Sequence, residues 1–182
     1  MWSVTTQREI EAIDELRNNP SDRAIGIVLA SFVEGHLTDL IKSCFIKQSE
    51  VEREMFHSSG PLGAFSSKIR LAYLMGLIGD ECFKNLQTMK EIRNRFAHYP
   101  AIGRFDLDEI RSRCMNLTLV EKHVVDADNG IYGDASAIFA LEVRGVAAKL
   151  RSPKDRYVLA AQVLCIGLQN GASNMKPQAP VL

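Results

Sequence analysis

Arg93, Asn94 and His98 fall within one or two helical turns of each other, just ahead of Pro100. A fixed cation, an amide and a proton-exchanging imidazole are the parts needed to break an RNA phosphodiester without a metal. The histidine would manage the proton of the 2′-hydroxyl or of the leaving oxygen, and the arginine would stabilise charge developing on phosphate. The same residues also suit a plainer role, because cations on the last turn of a helix are favoured by its macrodipole. Spacing alone leaves both roles open.

These side chains must be positioned by the helix that carries them. At roughly 100° per residue, Phe83, Leu86, Met89, Ile92 and Phe96 form one apolar arc of a helix from about Asp80 to His98. Arg93 falls inside that arc, Asn94 and His98 line the adjoining polar flank, and Arg95 points away. A guanidinium on an apolar arc must be paired or must face a cleft, since an isolated buried charge is costly. Glu34, at the margin of the apolar arc of a preceding helix, is its candidate partner. Asp80 and Glu81 occupy the first turn, and Pro100 turns Tyr99 away from helical torsions, so the stop is well defined.

The flanking segments read as further helices. Asn19-Pro20-Ser21-Asp22 gives start signals for a long, central helix running to about Lys47, with Gly35 as a local weakness. A glycine and proline break at Gly60-Pro61-Leu62-Gly63 precedes a helix whose apolar residues recur from Phe65 to Ile78. A shorter helix starts at Asp106-Leu107-Asp108-Glu109, and Asp126 to Gly130 form a loop or small hairpin. Two alanine-rich apolar segments, 134–151 and 154–169, are separated by Ser152-Pro153. The expected architecture is all-α, an antiparallel helical bundle: an N-terminal helix or arm over 1–20, a single helical domain over 21–171 and a flexible tail over 172–182.

Bulk properties set limits on function. The 182 residues carry 22 basic and 22 acidic side chains, which argues against a broad, nonspecific nucleic-acid binder while leaving a local basic patch open. The four cysteines form no close pair of the kind that holds zinc or a redox disulfide, and they read as small apolar residues in a reducing compartment. The N-terminus lacks the apolar core of a signal peptide, and no apolar run approaches bilayer-spanning length, so the expected location is the cytoplasm. No phosphate-cradling glycine loop is present, and no cofactor is expected.

Other candidate groups have simpler explanations. His36 lies on the apolar side of the long helix, as a core histidine would, and His57 and His123 have no acidic or cysteine neighbours at ligand spacing, so no metal is expected. Asp106, Asp108 and Glu109 suit a helix start. Arg104, Arg111 and Arg113 form either a basic rim to the motif or a solvated face.

Arg93-Asn94-Arg95-Phe96-Ala97-His98 resembles the Arg-Asn-x-x-x-His signature of the HEPN superfamily, helical proteins of which many are metal-independent endoribonucleases acting as toxins or defence effectors. The upstream run GPLGAFSSKIRLAYLMGLI is similar to the mannitol operon repressor family, and the likeness covers about residues 21 to 115. The resemblance implies a helical bundle, often dimeric, with the motifs of two subunits facing a shared cleft. Arg93 and His98 would then be the catalytic pair and Asn94 an orienting group, with Glu34, Lys68, Arg95 and Tyr99 as binding or supporting positions. The mannitol-repressor branch implies regulators instead. Two functions follow: a homodimeric ribonuclease cleaving single-stranded RNA, with an antitoxin as a possible partner, or a regulator without turnover acting through a protein or nucleic-acid partner.

Overall fold

A computed structural model describes residues 21–46, 49–127 and 139–175. The expectations for the arm over 1–20, for Lys47, for 128–138 and for the tail beyond 175 lie outside these residues. Within them the chain is all-α apart from two three-residue strands.

Helix α1, Asp22–Ser43, is capped by Ser21, whose hydroxyl accepts from the Ala24 N–H at 3.0 Å. It ends before Lys47 because its last bonds tighten, Cys44 N–H to Ile41 and Phe45 N–H to Lys42. Its length and mean hydropathy would suffice to cross a bilayer, contrary to the sequence expectation. Leu29, Val33, Leu37, Leu40 and Ile41 are instead buried against the protein's own helices.

The short helix α2, Ser49–Phe56, buries no residue and was not anticipated. Helix α3, Phe65–Leu74, stops four residues short of Ile78. Gly76 takes φ +69°, the Leu77 N–H bonds the Ala72 carbonyl at 2.9 Å and the Gly76 N–H that of Tyr73 at 3.0 Å. That paired closure is a Schellman stop, and a Cβ at Gly76 would strain it. Helix α4 spans Asp80–His98, as the sequence predicts, with Tyr99 extended before Pro100.

Helix α5, Asp108–Met115, and α6, Leu119–His123, follow, and α6 runs into strand β1, Val124–Asp126. Strand β1 pairs in parallel with β2, Leu141–Val143, in the register Val124 to Leu141. Of the loop or small hairpin expected over 126–130, a hairpin does not join these two strands: parallel strands need a crossover, which a tight turn cannot supply. The 134–151 segment, where described, is β2 and the short helix α7, Val146–Arg151. Helix α8, Pro153–Asn174, begins on the Ser152 cap with Pro153 in its first turn and continues three residues past 171.

Helix α1 packs chiefly on α8 and next on α4, and α3 covers both α1 and α4. One contiguous core runs through all of them. At its centre Phe96 meets Phe105 edge-on at 4.9 Å, Phe105 meets Tyr157 at 5.1 Å, and the Tyr157 hydroxyl donates to the Gly26 carbonyl at 2.7 Å. Gly26 sits so close to Phe96 that a Cβ there would lie 2.3 Å from the ring. Helices α1, α4 and α8 are thus locked together directly behind the Arg-Asn-x-x-x-His turn.

Candidate functional site

The end of α4 is fixed from α1. Arg23 sends Nη1 to the Phe96 carbonyl at 2.5 Å, and Nη2 to those of Pro100 and Ile102 at 2.8 and 2.7 Å and of Tyr99 at 3.2 Å. These carbonyls include an end of helix that no further turn can satisfy, so one guanidinium replaces the missing donors. Beside it, Asp22 accepts from the Phe105 N–H at 3.0 Å and pairs with Lys154 at 3.0 Å. The turn that follows His98 is held in one shape by two consecutive residues some 75 positions upstream. The sequence reading missed both roles, and only the start signal around Ser21 hinted at them.

On the opposite side of this turn an open hollow of about 450 Å³ is lined by Glu91, Asn94, Arg95, His98, Tyr99 and Arg113. The residues at 91, 94, 95 and 98 recur at helical intervals of three and four, which is why α4 presents them together. His98 is exposed and makes no hydrogen bond or ion pair among the described residues. Asn94 accepts from Arg93 Nη1 at 3.0 Å. Arg93 is half-buried and does not line the hollow; it reaches the site only through Asn94.

Two expectations are corrected here. Glu34 does not partner Arg93: its carboxylate accepts from Lys68 Nζ at 2.7 Å, tying α1 to α3, and Lys68 is only 8% exposed. The packing of α3 against α1 brings the lysine within reach first. Arg95 does not point away; its long side chain folds over the Tyr99 ring, 4.7 Å from the centroid, and reaches Glu109 at 2.9 Å. Arg113, on α5, lies 3.5 Å from Glu109 and 3.9 Å from Glu91. Both arginines of the hollow therefore face carboxylates.

The remaining candidates separate. Arg104 pairs with Asp106, which holds the Asp106 carboxyl below its usual range and raises the Arg104 guanidinium. Arg111 is exposed, and Asp108 and Glu109 stand in the first turn of α5. His36 is buried, His57 bonds Ser59 at 2.9 Å, and His123 stacks on Phe139. No group of three or more side chains among the described residues is placed to hold a metal.

Asn85 is a further residue the sequence did not single out. Fully buried on α4, it donates to the Glu81 carbonyl at 2.9 Å and accepts from the Leu119 N–H at 3.2 Å, which sets the start of α6. At the same end Glu81 takes Lys122 at 2.6 Å.

Comparison with known proteins adds two findings. The family model described as mannitol repressor matches residues 10–144, about three-quarters of the chain. A chain of the X-ray structure of the MtlR-HPr complex from Escherichia coli has the same fold, with a TM-score of 0.53 at 17% identity over 92% of this chain and 98% of that one. None of the curated proteins matches.

Proposed function

The chain belongs to the mannitol repressor family, and on that premise we propose that it is a regulator without turnover, acting by holding a protein partner, with the hollow at the end of α4 as part of the contact surface. The observation that carries this reading is the pairing of both hollow arginines with Glu91 and Glu109. A polynucleotide backbone calls for cations free to replace its counterions, whereas here the charges are already balanced. What the hollow offers is a half-exposed tyrosine under an arginine, two residue types that dominate protein interfaces. The structural neighbour comes from a complex with HPr, so HPr is the first partner to try.

Isothermal titration of the purified chain with HPr from the same organism is expected to show binding. Tyr99→Ala and Arg95→Ala should weaken it by about tenfold or more, while His98→Ala retains it. Total RNA incubated with the chain should remain intact. Cleavage of RNA by the wild type, abolished in both His98→Ala and Arg93→Ala, would overturn the proposal.

A second reading, a HEPN-type ribonuclease, draws on one observation: Asn94 and His98 share the hollow, and Arg93 is tethered to Asn94. In this reading Arg93, which has no carboxylate partner among the described residues, is the cation, and a homodimer sets two such motifs across a twofold axis. The same RNA experiment separates the two.

A further inference from the structure

A second cavity lies away from the α4 terminus, where α1, α4, α6 and α8 diverge. It is open to solvent on one side and has a volume of about 330 Å³. Leu40 of α1, Cys82 of α4, His123 of α6 and Gly167 of α8 contribute to its wall, and Asn170 and Asn174, both exposed, stand at its mouth. Among the described residues no lysine, arginine, aspartate or glutamate lines it. We infer that this cavity is a binding site for a small neutral amphiphile, an alcohol or phenol with an apolar body, whose hydroxyl lies toward the polar side chains.

Five features carry this. Gly167 sits within α8, where glycine weakens a helix relative to alanine. A Cβ there would meet only the Phe139 ring at 3.5 Å, an ordinary contact, so close packing does not demand the glycine. What its missing side chain does is leave space in the cavity. Gly171 is different, since a Cβ would come within 3.2 Å of Leu40.

The lining also selects the ligand's charge. Burial pushes the Cys82 thiol up to about 12, so it stays protonated and serves as apolar wall. His123 Nδ1 donates to the Phe139 carbonyl at 3.2 Å, which leaves Nε2 as the ring's acceptor for a hydroxyl. Asn170 and Asn174, one turn apart, add amide donors and acceptors. With no cation in the wall, an anionic head would lose its hydration without a counter-charge.

The test is a fluorescence titration of the full chain with N-phenyl-1-naphthylamine, followed by displacement with 1-decanol and, separately, decanoate at mildly alkaline pH. Saturable binding is expected, with decanol displacing the probe about tenfold better than decanoate. Gly167→Leu, which fills the cavity, should weaken decanol by about tenfold or more while Leu74→Ser, which removes the most exposed apolar side chain elsewhere, leaves it unchanged. If Gly167→Leu does not fold, the exposed pair Asn170→Ala/Asn174→Ala decides: decanol should weaken by about threefold or more. Absence of saturable binding, equal affinity in the folded Gly167→Leu variant, or no change in the asparagine pair overturns the assignment. HPr binding and RNA cleavage are read independently of it.

Discussion

The two faces of the last turns of α4 place opposite demands on the same few residues. On one face Phe96 is fully buried, crowded by Gly26 and stacked on Phe105, and Arg23 secures the carbonyl of Phe96 itself. On the other, Asn94 and His98 look into an open hollow, and the His98 side chain makes no bond among the described residues. Rigid support on the inner side allows the outer side to display polar groups in a fixed arrangement, since a surface held only by its own contacts would fray at a helix end. Variants on the inner face should therefore affect stability, and variants on the outer face should affect recognition.

The largest effect is expected at Gly26. Gly26→Ala sets a methyl 2.3 Å from the Phe96 ring and 2.7 Å from a second ring carbon, and the helix backbone cannot retreat without breaking the Tyr157 bond to the Gly26 carbonyl. Overpacking of this kind should cost about 3 kcal/mol, read as a fall in the urea midpoint without a change in slope. A loss below about 0.5 kcal/mol, the range of an ordinary surface change, would show that the inner face is loose.

Arg23→Ala comes next. It withdraws the guanidinium from four carbonyls of the α4 end and the following turn, of which that of Tyr99 still accepts from the Ile102 N–H, and a loss of about 2 kcal/mol is expected for a charged donor set that is partly exposed. Hydrogen exchange should quicken over 99–105 while the middle of α4 stays protected. HPr binding should weaken along with that loosening, because Tyr99 lies inside the clamped turn. Unchanged exchange in 99–105 would remove the coupling between the two faces.

A third test uses pH. Burial is the main cause that raises the Tyr157 hydroxyl, opposed in part by the Arg93 charge. A group whose folded value lies above its unfolded one contributes fully below the unfolded value, about pH 10 for tyrosine, and loses that contribution as pH rises further. The buried thiols Cys82 and Cys114, each pushed up to about 12, act in the same direction from about pH 8.5. Stability should therefore decline on the alkaline side. Tyr157→Phe should cost about 1 kcal/mol at neutral pH, by removing the buried bond from its hydroxyl to the Gly26 carbonyl, and should flatten the decline above pH 10. An equally steep decline in that variant would place its cause elsewhere.

Helix α4 was legible because every signal agreed, acid at the start, apolar arc along it and a proline after it. The stop of α3 was misread by four residues because Met75 and Ile78 continue its period, while the left-handed Gly76 closes it through backbone bonds that periodicity does not register. The parallel pairing of Val124–Asp126 with Leu141–Val143 joins short segments 17 residues apart in register, too short to show alternation. At the site, the cluster at the end of α4 was visible, but its partners were not. Glu34 lay near enough in the helical wheel to suggest Arg93, whereas Lys68 takes it through a packing of α3 on α1 that one helix cannot reveal. Arg23 reaches the end of α4 from α1, and Glu109 reaches back from α5 to Arg95, across separations that no local periodicity registers.

The smallest stability effect belongs to the outer face. His98 is exposed, lies in the last turn of α4 and contacts no partner group, so His98→Ala should change the unfolding free energy by less than about 0.5 kcal/mol. The helix dipole favours a cation there, which sets the sign of the change as slightly destabilising. Urea unfolding of the variant beside the wild type would show it. A loss of more than about 1 kcal/mol would mean that the imidazole supports the fold, and the separation of the two faces would then fail at the residue on which both functional readings converge.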